Sequence, residues 1–243
     1  MKRICTVCAR AGSKGVRGKN LRALNGLPLL AHSLRQAVAS GLFDTIAVSS
    51  DSPEMLAIAK DNGATFVVDR PAEMATDTAA KLPVIRHCVA EAERALGLTF
   101  DTCVDLDATS PLRDVEDIRA VVQLLEGSGV GNVITAMPAR RSPYFNLVEQ
   151  DEHGVIRLAK PASPPYVRRQ DAPACFDMNA SIYAWTRKAL MTAPSLFNPD
   201  TRLHVMPEER SIDIDSEVDF LLVELLMSRK AHGTTGTTEG GQQ

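Results

Sequence analysis

The sequence predicts a doubly wound α/β fold with a mostly parallel sheet. Short apolar runs alternate with longer segments of helical periodicity from residue 4 to residue 136, which is the pattern of successive β-α-β units. Gly41 and Gly63 directly follow two of the helical segments, as glycine does at helix C-termini. With 243 residues, the chain is long enough to bury one large core.

The predicted elements follow each other in a regular order. Strands are expected at 4–9, 45–49, 65–68, 102–106 and 132–136. Helices are expected at 29–40, 53–62, 81–96 and 115–126. Open sheets of this kind leave a crevice beyond the carboxyl ends of their strands, so the functional site is expected there.

The pattern changes at residue 138, where prolines become frequent and the helical periodicity fades. We predict that 138–178 is an extended arm inserted into a main α/β domain at 1–230, with one strand expected at 155–158 inside the arm and another at 181–185 after it. An amphipathic helix is expected at 218–228. The polar tail at 231–243 is predicted to be disordered because it has little apolar surface to bury.

Charge and composition exclude several classes of function. The chain has 27 Lys and Arg against 30 Asp and Glu, a net charge of −3, which gives no reason to expect nucleic acid as a partner. The N-terminal apolar run is too short for a signal peptide or a membrane span. We therefore expect a soluble, cytoplasmic protein.

The five cysteines predict free thiols rather than disulfides in such a compartment. Cys5 and Cys8 form a C-x-x-C within an apolar strand, where residues three apart point to opposite faces. A buried strand is therefore favoured over a redox or zinc site.

The strongest chemical signal is the glycine-rich and basic segment Ala9-Arg-Ala-Gly-Ser-Lys-Gly-Val-Arg-Gly-Lys-Asn20, which follows the first strand. Glycines let the backbone approach a phosphate closely, while Lys and Arg neutralise its charge. The segment fits neither the Walker pattern nor the dinucleotide fingerprint. A flexible, solvated basic loop is the plainer alternative.

A second signal is Ser211-Ile-Asp-Ile-Asp215, in which Asp213 and Asp215 project to the same side of an extended segment. Paired carboxylates suit Mg²⁺, which completes its coordination with water and phosphate oxygens. The alternative is that Asp215 only caps the helix that follows.

A third signal is the run from Asp105 to Arg113, at the end of a predicted central strand. Asp105 and Asp107 share a face, and such a D-x-D also occurs in glycosyltransferases that hold a metal and a nucleotide diphosphate. The plainer explanation is a turn and a helix start, with Asp114 as the cap. Arg70, after another strand, and Arg168 and Arg169, in the arm, could bind anionic groups.

Taken together, these segments resemble the CMP-sialic acid synthetase family, the cytidylyltransferases for sialic acid and related nonulosonic acids. ARAGSKGVRGKN resembles the first motif of the family, and the later motifs follow in the same order as VSSDSPE, RPAEMATDTA, TSPLR, RRQD with Asn179, and SIDIDSEVD. The resemblance implies that 1–230 is a parallel α/β nucleotidyltransferase domain. The enzyme would depend on Mg²⁺, join CMP from CTP to an acidic nine-carbon sugar and release pyrophosphate. It also implies a homodimer in which the arm of one subunit reaches the partner's site.

The resemblance also implies roles for individual residues. The nucleotide would be held by Ala9, Arg10, Gly12, Ser13, Lys14, Lys19, Asn20 and Arg70. Catalysis would depend on Arg10, Lys14, Asp213 and Asp215, with Asp213 and Asp215 as metal ligands. The sugar would be bound by Lys81, Asp107, Arg169, Gln170 and Asn179, and Asp107 is a further candidate metal ligand.

Three departures from the family pattern fall where the sugar should be recognised. Asp107-Ala108 replaces Gln-Pro, Ala80-Lys81 replaces Ser-Ser, and Asp177 replaces an Arg. The form DATSPLR is similar to legionaminic acid cytidylyltransferases of bacterial surface glycans, so a di-N-acetylated legionaminic-type sugar is the expected substrate. The alternatives are a CMP-N-acetylneuraminate synthetase, a metal-dependent glycosyltransferase and a non-enzymatic protein that binds nucleotide sugars.

Overall fold

The computed structural model describes residues 1–12 and 15–233, with the backbone alone for 231–233. Within these residues, a seven-stranded sheet has the order β11-β7-β10-β6-β1-β4-β5. Its strands are β1 Arg3–Cys8, β4 Thr45–Ser50, β5 Phe66–Asp69, β6 Thr102–Leu106, β7 Asn132–Pro138, β10 Phe176–Thr186 and β11 Arg202–Val205. β10 runs antiparallel to both of its neighbours, and the other pairings are parallel. The predicted doubly wound, mostly parallel sheet is confirmed.

Helices cover both faces of the sheet. They are α1 Leu29–Ser40, α2 Pro53–Asp61, α3 Lys81–Leu96, α4 Val115–Ser128, α5 Arg187–Thr192 and α6 Glu217–Gly233. α1, α2 and α4 bury apolar side chains on one face, and α3 and α5 on the other. Burial of this apolar surface is the main force that holds the layers together. None of the helices in the described part of the chain has the length and apolarity needed to cross a lipid bilayer.

The cysteine prediction is confirmed. Cys5 packs in the core beneath α1 and α4, whereas Cys8 packs against the opposite core, beneath α3. All five cysteines are free. The neighbouring Cys88 thiol and burial raise the pKa of Cys8 well above its ordinary value, so the thiol stays protonated and poorly nucleophilic.

Several small elements differ from those predicted. The sequence does not predict the strand β11, the helix α5, or the small hairpin formed by β2 Ala23–Leu24 and β3 Leu27–Pro28. These segments are only two to six residues long, too short for a period to be visible.

The arm leaves the sheet at the end of β7 and returns at the start of β10. β10 begins at Phe176 rather than at 181, because Phe176 and Asp177 still pair with Pro138 and Met137. Within the arm, β8 Val148–Gln150 and β9 Ile156–Leu158 form a separate antiparallel hairpin.

The final helix, α6, differs from its prediction in two respects. Phe220 and Val223 are buried, but Val218, Leu221 and Leu225 on other sides of the helix are exposed, so the polar outer face of an amphipathic helix is absent. Its backbone continues to Gly233, past the predicted start of the tail at 231. The rest of that tail, 234–243, lies outside the described residues.

Candidate active site

The candidate site lies where the strand order of the sheet changes direction. β1 has β4 on one side and β6 on the other, and their carboxyl ends border the crevice that a doubly wound sheet leaves at such a point. Two adjoining cavities occupy it. One, of about 310 Å³, is called here the glycine-loop cleft; the other, of about 190 Å³, is called the Arg70 pocket. Cys8 and Arg10 line both.

Most of the predicted nucleotide-binding residues meet at these two cavities. The glycine-loop cleft is lined by Ala9, Arg10, Gly12, Lys19, Asn20, Asp107 and Asp215, among others. Arg70 and Lys81 line the second pocket. Ser13 and Lys14, which are predicted to bind the nucleotide, lie outside the described residues.

Hydrogen bonds at both ends hold the glycine-rich loop over the cleft. The Asn20 amide donates to the Arg10 carbonyl (3.1 Å), and the Ala11 N–H donates to Asp51 at the end of β4 (2.9 Å). Arg10 forms an ion pair with Asp77 across the Arg70 pocket, with Nη1 and Oδ1 2.5 Å apart. The described ends of this loop are therefore anchored, unlike those of a freely solvated basic loop.

Asp51 and Asp77 belong to the site although the sequence does not predict them there. They lie in two of the segments that resemble family motifs, VSSDSPE and RPAEMATDTA. The only available signal was an acidic residue after a predicted strand, which also occurs in ordinary turns.

Lys19 connects the glycine-rich loop to the aspartate segment. Its ammonium donates to the Ile214 carbonyl and lies 3.2 Å from Oδ1 of Asp215. The two backbones also pack tightly, because a Cβ added at Gly15 would lie 1.9 Å from the Asp215 carbonyl oxygen. The two strongest sequence signals thus form one contiguous structure.

Ile214 anchors the aspartate segment in the protein core. Ile214 is fully buried, and its N–H donates to the Thr109 carbonyl (2.9 Å). Asp215 does not cap α6, because Ser216 and Asp219 exchange the capping hydrogen bonds at that helix start. The capping explanation for Asp215 is therefore wrong, and its carboxylate remains at the mouth of the cleft.

Asp213 and Asp215 together have the chemistry of a magnesium site. Burial and the neighbouring charge of Asp215 raise the pKa of Asp213, so a divalent cation would relieve a repulsion that is already present. In residues 1–12 and 15–233, no group of three or more His, Cys, Asp or Glu side chains is arranged to hold a metal ion. The pair fits Mg²⁺, which takes its other ligands from water and phosphate oxygens.

Asp107 lies in a different electrostatic environment. One of its oxygens accepts hydrogen bonds from the Thr109 N–H (3.0 Å) and hydroxyl (2.8 Å), and the other contacts the Lys81 ammonium (2.7 Å). Burial by itself would raise the pKa of Asp107, but Lys81 and Thr109 outweigh that effect, so the pKa lies well below its ordinary value. Asp107 is therefore ionised, and the Lys81 ammonium balances its negative charge. Two of the three departures from the family pattern, Lys81 and Asp107, therefore contact each other.

The residues around Asp107 have mainly structural contacts. Arg113 is buried, and it donates to the Asp107 carbonyl and to the Ser181 hydroxyl (2.9 Å). Asp114 caps α4, as the plainer explanation held, and its N–H donates to Asp117 (2.8 Å). The run after β6 therefore combines a helix start with a carboxylate that faces the cleft.

Of the predicted sugar-binding residues, Asn179 is buried and engaged by protein groups. Its carbonyl accepts from the Thr135 hydroxyl (2.7 Å), and its amide donates to the Ser211 hydroxyl (3.0 Å). Arg169 and Gln170 lie exposed on the arm in a short 3₁₀ turn, and neither lines the two cavities described. Asp177, the third departure, accepts a hydrogen bond from the Arg140 N–H at the base of the arm (3.2 Å).

Arg70 is buried beneath the pocket that it lines. Its guanidinium donates to the Ser49 hydroxyl (3.1 Å) and carbonyl (2.6 Å) at the end of β4. These contacts fix the orientation of the guanidinium, and a fixed cation at the wall of a pocket is suited to hold a polar or anionic ligand.

Comparison with known proteins agrees with this architecture. The cytidylyltransferase family model matches residues 4–210. The chain is 45% identical over 227 residues to the CMP-N,N'-diacetyllegionaminic acid synthase of Campylobacter jejuni, covering 93% of this chain and 95% of the relative. It is 44% identical, with the same coverage, to the post-translational flagellin modification protein B of Campylobacter coli.

A solved structure of CMP:2-keto-3-deoxy-manno-octonic acid synthetase complexed with CTP has the same fold. Its TM-score is 0.70 at 16% identity, and the match covers 95% of this chain and all of that one. From the family match over most of its length, and from the sheet and cleft described above, this chain belongs to the cytidylyltransferase family.

Proposed function

We propose that this chain transfers CMP from CTP to a nonulosonic acid of the legionaminic type, di-N-acetylated, and releases pyrophosphate. The observation that carries the proposal is the 45% identity, over nearly the full length of both chains, to a CMP-N,N'-diacetyllegionaminic acid synthase. The joined glycine-rich loop and aspartate segment support it, because they bring cations and carboxylates to one cleft.

The proposed reaction is an attack by the anomeric hydroxyl of the sugar on the α-phosphorus of CTP. A new oxygen–phosphorus bond forms, the bond to the β-phosphate breaks, pyrophosphate leaves, and the hydroxyl proton passes to a base. Arg10 and Lys19 line the cleft and would bind phosphate oxygens, as would Lys14. Catalysis then depends on positioning and on neutralising the charge that develops as pyrophosphate leaves.

Asp213 and Asp215 are proposed to hold Mg²⁺. When bound, the ion would neutralise phosphate oxygens and help to align them. The two carboxylates contribute the charge that retains the ion, and Lys19 fixes the position of Asp215. The buried Ile214 between them fixes the backbone of the segment, and Asp215 lines the glycine-loop cleft.

On the sugar side, Asp107 is proposed to accept a hydrogen bond from a hydroxyl or amide N–H of the substrate. Thr109 and Lys81 fix its carboxylate. Arg169 and Gln170 would contribute from the arm, and Asn179 would support the wall of the sugar pocket. A sugar with two N-acyl groups presents more N–H donors than N-acetylneuraminic acid does at the corresponding positions.

We further propose a homodimer in which the arm of each subunit reaches the partner's site. Exposed apolar side chains are concentrated on the arm, including Leu147, Val148, Val155, Ile156 and Val167. Apolar surface grouped in this way is typical of an interface. The cytoplasmic location expected from the sequence remains part of this proposal.

Pyrophosphate release is the direct test of this function. The purified chain would be incubated with CTP and Mg²⁺ and either N-acetylneuraminic, N,N'-diacetyllegionaminic or pseudaminic acid. Turnover is expected with the legionaminic acid, and a variant with both Asp213→Asn and Asp215→Asn is expected to lose it.

Preference for N-acetylneuraminic acid would contradict the proposed sugar but not the reaction. If none of the sugars in the panel supports pyrophosphate release, the proposed reaction itself is contradicted. A glycosyltransferase would instead consume a nucleotide-sugar donor and release no pyrophosphate from CTP.

A further inference from the structure

The Lys81 side chain forms an internal ion cluster at the wall between the two cavities. Its ammonium lies 2.7 Å from Oδ2 of Asp107 and 3.1 Å from Oδ2 of Asp105. It also lies over the ring of Tyr183, 4.7 Å from the centroid. One cation therefore bridges two carboxylates that belong to the same strand end.

Asp105 explains why a cation is needed at this position. It lies on β6, in the interior of the sheet, and its side chain is only 1% exposed. Oδ1 accepts from the Thr6 hydroxyl (2.7 Å), whereas Oδ2 accepts no hydrogen bond and is compensated by the charge of the Lys81 ammonium 3.1 Å away. A buried carboxylate without a counter-charge is costly, and the Lys81 ammonium is the cation beside it.

The contacts of Lys81 leave it little capacity for an anionic ligand. Its ammonium faces two carboxylates and also makes a cation–π contact with the ring of Tyr183. Asp105 and Asp107 outweigh the effect of burial and raise the pKa of Lys81 above its ordinary value, so the cation is permanent. A fixed cation between two carboxylates resembles, in charge and position, a metal ion bound by the same pair.

We propose that Lys81 is a positioning residue that takes the place of a metal ion at Asp105 and Asp107, so that, among the described residues, Asp213 and Asp215 form the metal site of this cleft. This inference rests on the proposed function, because the number of bound metal ions matters only if the chain catalyses the proposed reaction. It replaces the role of Asp107 as a metal ligand that the sequence suggested. Lys81 acts through Asp107, whose carboxylate it orients towards the cleft.

The test is to count Mn²⁺ ions bound per chain, by electron paramagnetic resonance, in the full-length protein without nucleotide. Lys81→Met removes the charge but keeps the length of the side chain, and is expected to bind one ion more than the wild type. The double variant Lys81→Met with Asp107→Asn is expected to return to the wild-type number. Thermal melting shows that each variant is folded.

A second variant keeps the test decisive if Lys81→Met does not fold. Asp107→Asn alone leaves Lys81 paired with Asp105, so the Mn²⁺ count is expected to stay at the wild-type value. Loss of one ion in Asp107→Asn would overturn the proposal, because Asp107 would then be a metal ligand. A folded Lys81→Met that binds no additional ion would also overturn it.

The ion count separates this inference from the proposed function. If no sugar in the panel supports pyrophosphate release but the expected counts are found, the role of Lys81 stands and the proposed function fails. If the enzyme is active and the counts differ from those expected, the function stands and the role of Lys81 fails. In an active enzyme, Lys81→Met is expected to lower kcat/KM by roughly tenfold to a hundredfold, because Asp107 would no longer be held in position.

Discussion

Gly15 is the residue at which the glycine-rich loop and the aspartate segment touch. A Cβ added there would lie 1.9 Å from the Asp215 carbonyl oxygen, whereas one added at Gly12 would meet nothing within 4 Å. The obstacle at Gly15 is backbone, which cannot rotate away as a side chain can. The requirement for glycine at this position is therefore steric, and it comes from a segment 200 residues later in the chain.

Gly15→Ala is expected to lower the free energy of unfolding by about 1–3 kcal/mol, the usual cost of overpacking. Thermal denaturation of the free protein measures it. Gly12→Ala serves as the matched control, with little expected change in melting temperature. Equal melting temperatures for the two variants would mean that the loop does not pack on Asp215 in solution.

Asn179 is a second residue whose role depends on its surroundings. Because its side chain joins Thr135 to Ser211 inside the protein, Asn179→Ala is expected to lower the free energy of unfolding by about 1–3 kcal/mol, the cost of buried polar groups left without partners. Chemical denaturation measures the change. Arg169→Ala, on the exposed arm, is the control and should leave stability unchanged. A stable Asn179→Ala with only a raised KM for the sugar would instead indicate a direct contact with substrate.

At the scale of elements, an ion pair clamps α4 to the first strand. Arg3 on β1 donates to both carboxylate oxygens of Glu126 near the end of α4, each at 2.8 Å. The Thr102 hydroxyl on β6 donates to the same carboxylate (2.9 Å). The hydrogen bonds from Arg3, more than the opposing effect of burial, lower the pKa of Glu126 below its ordinary value.

A lowered pKa in the folded state means that this carboxylate contributes stability above its unfolded pKa, about 4.3 for Glu. The contribution is lost as the pH falls through the folded pKa. Glu126→Gln is therefore expected to be less stable than the wild type by about 1.5–3 kcal/mol at pH 7, as for hydrogen bonds to a charged group. The difference should shrink in strongly acidic solution.

Urea denaturation between pH 7 and pH 3 measures this dependence. Glu149→Gln, at an exposed position on β8, is the control and should show a small, pH-independent difference from the wild type. A stability difference for Glu126→Gln that does not change with pH would exclude the ion pair as its cause.

At the scale of the whole molecule, the proposed dimer predicts that activity can be restored between inactive subunits. One variant would carry Arg169→Ala and Gln170→Ala in the arm, and the other Asp213→Asn and Asp215→Asn in the cleft. If each arm serves the partner's site, a mixed dimer has one intact site. Random pairing makes half of the dimers mixed, so about a quarter of the wild-type activity is expected.

Co-expression of the two variants with different affinity tags, followed by assay of the purified mixture, measures this restoration. The mass in solution, from light scattering, gives the oligomeric state independently. Activity no greater than the sum of the separate variants would mean that the arm acts within its own subunit, or on no site at all.

The sequence predicted the central architecture because the relevant signals are local. Apolar runs and helical periods placed β1, β4, β6 and most of the long helices to within a residue or two. It failed where pairing across the sheet decides the structure. β10 begins at Phe176 because β7 provides a partner there, and the short β11 is a strand only because it lies beside β7.

For the candidate site, the sequence by itself determined which residue types are available: a glycine-rich basic loop, an aspartate pair and a D-x-D at a strand end. Only the tertiary structure decided how they are used, because charge neutralisation and steric contact depend on distance in space. Folding brings Lys81 into an ion pair with Asp107 and Lys19 into an ion pair with Asp215. It also buries Asn179 among protein partners. These contacts join residues far apart in the chain, and no local pattern encodes them.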